Sequence, residues 1–191
     1  VPTLELLAAA LGIACVWCNA RERIEGWPLA ILSAALYLAV FWTARLYAYM
    51  GLQVVFIVLS AYGWYEWLHG GADRGPLRIT RTSRRQGFAL LGLGITGSAG
   101  LAWILFRTTD AAMPVVDSIA AVASVLAQWM MTRKLLEHWK VWIAINVLSL
   151  GLFISQGLIP TAVQYTVLLV LALAGHRLWT RTWHQQRAAS S

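Results

Sequence analysis

The chain is predicted to be an all-α membrane protein of seven transmembrane helices, and three observations carry that prediction. Hydrophobic residues make up 59% of the 191 and charged residues 12%, where soluble domains hold about 45–50% and about 25%. Apolar runs of about 20 residues, the length that crosses a hydrocarbon core, recur seven times. Lys and Arg alternate between dense and sparse connections, as a multi-pass chain requires.

The spans fall at 3–20, 27–44, 47–68, 86–106, 114–132, 138–156 and 160–180. The first has no basic segment before it, carries Glu5 and lacks a small-x-small cleavage site, so it is read as a membrane helix and not a signal peptide. Its Cys15 and Cys18 have no second pair and no nearby histidine, and are read as packing residues. Pro28, Pro114 and Pro160 stand at the openings of spans 2, 5 and 7, where a missing N–H costs nothing. A barrel is excluded because segments such as 164–175 are apolar on every side instead of alternating.

The net charge of +7 suggests nucleic acid until its distribution is traced. Arg21 and Arg23 lie between spans 1 and 2. Arg74, Arg78, Arg81, Arg84 and Arg85 lie between spans 3 and 4. Arg133, Lys134 and Lys140 surround the 5–6 connection, and Arg177, Arg181 and Arg187 close span 7. Of the 15 Lys and Arg, only Arg45 and Arg107 fall on the opposite side. The positive-inside rule then puts the N-terminus outside and the C-terminus in the cytoplasm. The expected partners are membrane lipid and a small molecule, with no nucleic acid; anionic headgroups are a secondary attraction.

The polar loop 69–85 divides the chain into a three-span front part (3–68), a single linker span (86–106) and a three-span back part (114–180). The shift that lays Trp27 on Trp139 also lays Gly63 on Gly175 and Trp67 on Trp179. Both triplets start on the same side of the membrane. The expected architecture is therefore a 3+1+3 bundle of parallel repeats, with a substrate site between the halves.

Candidate site residues come from polar and aromatic stripes inside the spans. On span 6, Trp139, Trp142 and Asn146 project within about 60° of one another at the 3.6-residue period, and Ser149 and Phe153 continue the stripe. An amide at membrane depth is expensive without a partner. Two indoles offer flat π-faces suited to a planar or cationic ring. On span 3, Tyr49, Gln53, Phe56, Ser60, Gly63 and Trp67 recur at steps of 4 and 3; the lower half, from Ser60, reads equally well as a packing seam. Span 5 offers Gln128 with Ser124, and Asp117 at its outer end. Span 7 offers Gln164 and Tyr165. Asn19 is read as a helix C-terminal residue.

Catalytic chemistry finds little support. The eight acidic residues fall at span ends, which favours a facilitator over an ion-coupled carrier. His69, His138, His176 and His184 make no H-E-x-x-H pattern. There is no G-x-S-x-G elbow, no mid-span lysine in helix 7 and no nucleotide motif. An enzyme is not expected, and no metal or cofactor is implied.

The run from Gln128 to Asn146, with its R-K-x-x-E-x-W-x-x-W-x-x-x-N pattern, resembles the Pnu-type vitamin transporters. So do Trp27-Pro28, Tyr37, Leu46-Tyr47, Gln53 and Tyr62-Gly63-Trp64-Tyr65. The resemblance covers about residues 15 to 180 and favours the branch that carries nicotinamide riboside. It implies a fold like that of the SWEET sugar facilitators. It also implies facilitated, uncoupled uptake across a bacterial inner membrane, phosphorylation inside the cell trapping the product, and a homo-oligomer, a trimer in form. Trp139, Trp142 and Asn146 carry over as substrate-binding residues, with Gln53 and Gln128 beside them. Subfamilies for thiamine and riboflavin share the scaffold, and thiamine, a flat cation, is the alternative substrate.

Overall fold

The computed structural model describes residues 2–43, 47–109, 113–155, 157 and 159–189. Seven helices follow in order: α1 (Pro2–Ala20), α2 (Gly26–Thr43), α3 (Tyr47–His69), α4 (Arg84–Thr108), α5 (Pro114–Thr132), α6 (His138–Ser155) and α7 (Ile159–Ala188). Helices of 18 to 30 residues are about 27–45 Å long. Among the described residues, six of them are long and apolar enough to cross a membrane. The remaining helix, α3, has 23 residues. Arg45, Leu46 and Asp110 lie outside the described residues, as do the side chains of Tyr47 and Pro160.

The spans stand close to their expected bounds, with two differences. Helix α7 runs on to Ala188, because residues 181–188 contain no Gly or Pro and Trp183 packs against the core. The loop after α3 is not merely polar. It holds a short 3-10 turn, Ala72–Arg74, and then lies along the α5–α6 turn. Thr80 N–H donates to the Lys134 carbonyl at 3.0 Å and Leu136 N–H to the Thr80 carbonyl at 2.9 Å. Helix α4 starts with a capping box between Ser83 and Gln86, which satisfies two backbone donors.

Helices α1, α2 and α3 pack in succession, and α6 packs on α5 and α7. The two sets meet through α3 against α5 and α1 against α7. Helix α4 packs on α5 and buries only Ala102 among its described residues. Its Phe88, Trp103 and Phe106 are exposed, a face suited to lipid.

The core sits at the end where the basic connections gather. Trp27, Trp67, Trp139 and Trp179 are all buried there, with ring centroids 5.2 Å apart for Trp27–Trp67, 5.8 Å for Trp67–Trp179 and 5.7 Å for Trp139–Trp179. Two glycines make this packing possible. A Cβ at Gly63 would overlap the Trp27 indole, and one at Gly175 would overlap the Trp139 indole. The other two indoles bond across the two helix sets. Trp67 Nε1 donates to the Met131 carbonyl at 3.0 Å, and Trp179 Nε1 to the Asn19 carbonyl at 3.0 Å. The shift that carries Trp67 onto Trp179 also carries Asn19 onto Met131, so each of these bonds is the counterpart of the other. Ion pairs tie the connections together: Lys134–Glu22 at 3.0 Å, Arg133–Glu66 at 2.7 Å and Arg81–Glu137 at 3.0 Å.

Candidate functional site

Above the tryptophan cluster lies a cavity of about 310 Å³ walled by α1, α2, α3, α5, α6 and α7. Helix α4 contributes nothing to it. The volume is at the small end of the roughly 300–1,000 Å³ that ligand pockets occupy. A larger groove, about 890 Å³, runs between α4 and α5. Its wall is largely apolar, with Thr82, Arg84 and Glu137 at one end, and it is the inner cavity where uncharged polar groups converge.

Seven of the eight expected residues stand on the cavity wall: Trp139, Trp142, Asn146, Gln53, Gln128, Gln164 and Tyr165. Tyr49 does not. It is one turn from Gln53, half exposed, and its ring lies 5.4 Å from that of Phe41. The two span-6 indoles differ in kind. Trp139 is buried against Gly175 and Trp179, and its Nε1 has no hydrogen-bond partner. Trp142 is only partly buried, packing at the edge of the core. It offers the freer face.

The amides divide the same way. Gln128 Nε2 donates to Ser60 Oγ at 3.3 Å, so the lower stripe of α3 is a packing seam and a cavity wall at once. Gln164 lies beside the Tyr37 hydroxyl and Tyr165 beside Ser149. Asn146 is buried, and neither it nor Gln53 has a side-chain hydrogen bond among the described residues. These two amides are free to meet a ligand as donor and acceptor. Asp117 stands off the wall. Among the described residues no Asp, Glu, Lys, Arg or His lines the cavity, so its described wall is electrically neutral.

Three polar lining residues lie off the stripes the sequence offered. Tyr37 on α2 lies beside Gln164, and Ser33, one turn before it on the same face, donates its hydroxyl to the Ala8 carbonyl at 2.7 Å. Asn19 reaches the cavity floor, buried, with Nδ2 3.3 Å from Cys15 Sγ and 3.5 Å from Met131 Sδ. Its position at a helix end suggests only a cap. The buried, free thiols of Cys15 and Cys18 sit in the same helix, and Cys15 borders the cavity.

Comparison with known proteins gives the same direction. A family model described as nicotinamide mononucleotide transporter matches residues 2–181. The chain is 26% identical over 201 residues to the nicotinamide riboside transporter PnuC of Escherichia coli (strain K12), covering 92% of this chain and 84% of that one. It is 25% identical to the nicotinamide riboside transporter PnuC of Neisseria mucosa, covering 93% and 72%. It is 23% identical to the riboflavin/roseoflavin transporter RibM of Streptomyces davaonensis, covering 97% and 87%. A crystal structure of the vitamin B3 transporter PnuC matches with a TM-score of 0.76 at 24% identity, over 95% of this chain and 82% of that one. That likeness establishes a shared fold.

Proposed function

The chain belongs to the nicotinamide mononucleotide transporter family, and from that premise we propose that it carries nicotinamide riboside across the bacterial inner membrane. The observation that carries the proposal is the neutral cavity between the two helix sets, with the freer face of Trp142 and the unpartnered Asn146 amide on its wall. Nicotinamide riboside offers a planar cationic pyridinium, a carboxamide and a ribose. Trp142 stacks on the ring, an interaction of about 0.5–2 kcal/mol depending on desolvation. Asn146 and Gln53 meet the carboxamide or the ribose hydroxyls, with Gln164, Tyr165 and Gln128 completing the wall. Trp139 forms the floor under the ring.

The transport cycle is uncoupled alternating access between α1–α3 and α5–α7, with α4 as linker, in a 3+1+3 parallel-repeat plan like that of the SWEET facilitators. The reciprocal indole bonds, Trp67 to Met131 and Trp179 to Asn19, support that plan, since a two-fold axis pairs i with j′ and j with i′. The N-terminus is outside, and the basic end is cytoplasmic. Phosphorylation inside the cell keeps the product from leaving, and the protein assembles as a homo-oligomer.

A second reading is a different vitamin. Likeness to a riboflavin/roseoflavin transporter raises riboflavin, but its tricyclic ring is a poor match for a cavity of about 310 Å³. Thiamine, a smaller flat cation, fits the indole wall better. Uptake of labelled nicotinamide riboside into protein-containing liposomes decides among them. Saturable entry that stops at equal concentrations, and that neither thiamine nor riboflavin blocks, is the expected result. No entry, or entry abolished by thiamine, overturns the substrate.

A further inference from the structure

Beneath the cavity, at its basic end, three contacts cross between the two helix sets, and the Arg133–Glu66 pair crosses beside them. Trp67 Nε1 reaches the Met131 carbonyl, Trp179 Nε1 reaches the Asn19 carbonyl, and the Lys134 ammonium meets Glu22. Asn19 and Met131 are themselves cavity-floor residues. The contacts therefore lie directly beneath the site. Trp67, Trp179 and Lys134 are buried, so water does not compete for the two indole bonds, while Glu22 keeps a partly exposed carboxylate. Lys134 also stands 4.5 Å over the Trp67 ring, so one cation joins the α5–α6 turn to both α3 and the α1–α2 turn. Glu22 and Lys134 occupy left-handed backbone positions, at φ 55° and 48°, which fixes each side chain's departure from a tight turn.

The geometry points to these three contacts as the gate on the basic side of the cavity, an indole-and-ion latch that must break as a unit for the site to open there. The inference rests on the alternating-access reading. Separation of the helix sets at this end cannot leave any of the three intact, because each has one partner in each set. The closed state also carries a cost. Among the described residues, Trp27 Nε1, Trp139 Nε1 and Asn19 Oδ1 are buried without partners around the latch, and unpaired buried groups favour any state that admits water to them. A latch that holds the halves shut and orphaned groups that pull them open make two states close enough in energy to exchange.

Cys15 is a native reporter, since it borders the cavity and lies in the same helix as Asn19. In a Cys18→Ala background it is the one thiol in the chain. The probe is a charged, membrane-impermeant methanethiosulfonate reagent, applied to either face of oriented vesicles without substrate. The parent is expected to label slowly from the basic face. Glu22→Gln and Trp179→Phe, the second keeping a ring while removing the donor, should each speed labelling from that face about tenfold, the factor a lost buried contact makes in a two-state population. The exchange Glu22→Lys with Lys134→Glu, which returns the ion pair but not the cation over Trp67, should restore the slow rate in part. Unchanged labelling in both single variants overturns the proposal, and so does equal acceleration from the two faces, which reports general loosening. Because no substrate is present, either outcome stands apart from whether nicotinamide riboside is the cargo.

Discussion

Adding one methyl group at Gly63 and at Gly175 should separate what holds the fold from what holds the ligand. At both positions the new Cβ falls on the benzo ring of an indole, Trp27 in one case and Trp139 in the other. Neither ring can retreat freely. Trp27 is fully buried against Trp67, and Trp139 is walled by His138 and Trp179. Overpacking of this kind costs about 1–3 kcal/mol. Gly63→Ala and Gly175→Ala should therefore lower the midpoint of unfolding in mixed detergent by similar amounts. Binding should distinguish them, because Trp139 is on the cavity wall and Trp27 is not. A displaced Trp139 forfeits its share of a cation–π contact, about 0.5–2 kcal/mol, so Gly175→Ala should weaken nicotinamide riboside binding by roughly 2- to 30-fold. Gly63→Ala should leave the dissociation constant within about twofold. Titration by tryptophan fluorescence or calorimetry on the purified protein reads both. Equal affinity loss in the two variants, or full stability in either, would refute the close-packing argument.

Further perturbations follow from the same geometry. Trp142→Ala should raise the dissociation constant for nicotinamide riboside by about 2- to 30-fold while the unfolding midpoint moves less than in Gly175→Ala; an unchanged constant removes Trp142 from the site. Asn146→Leu should abolish saturable liposome uptake with the protein still in the membrane, and normal uptake would sink its assignment. Gln128→Leu should cost about 1 kcal/mol in stability through its lost bond to Ser60, measured by denaturation against a Ser60→Ala, Gln128→Leu double variant whose deficit should not add. Glu137 lies outside the spans. Burial raises its carboxyl pKa, but bonds from the Thr82 N–H, the Arg81 guanidinium and the Thr82 hydroxyl outweigh burial and leave it lowered. Its folded value is below its unfolded one, so its contribution is complete above about pH 4.3 and fades as pH falls further. Glu137→Gln should flatten the acid limb of a stability–pH curve, and an unchanged limb would assign that limb to other groups.

The seven helices are legible in the sequence because hydrophobic length and basic-residue alternation are direct consequences of the bilayer. The cavity wall on α6 is legible because Trp142 and Asn146 break an apolar helix at one angular position. Trp139 lines the cavity with them but is drawn deeper, against Gly175 and Trp179, because helical spacing reports a face but not the depth at which a neighbouring glycine draws a ring in. Tyr49 shares the α3 stripe and still misses the cavity, since it lies a turn beyond Gln53 and turns to Phe41. Tyr37, which the sequence offers only as part of a family pattern, and Asn19, offered only as a helix end, are not picked out as cavity residues for the opposite reason. Their partners, Gln164 and Met131, stand on helices of the other set, and no local period encodes such a meeting. The crossing bonds from Trp67 and Trp179 are foreshadowed only as coincidences of identity under a fixed shift.

That shift is kept where rings pack and abandoned where the cavity is walled. Under it, Trp142 falls on Ala30, Asn146 on Ala34, Tyr165 on Gln53 and Ser149 on Tyr37. Ala30 and Ala34 border the cavity as surely as Trp142 and Asn146 do. A chamber with perfect two-fold symmetry would accept a cargo in two equivalent poses and prefer neither. Here α6 presents a ring and an amide where α2 presents two methyl groups. The molecule thus pairs a near-symmetric ring cluster with a one-sided chamber, and a lopsided ligand placed there would meet a different surface in each of two flipped poses.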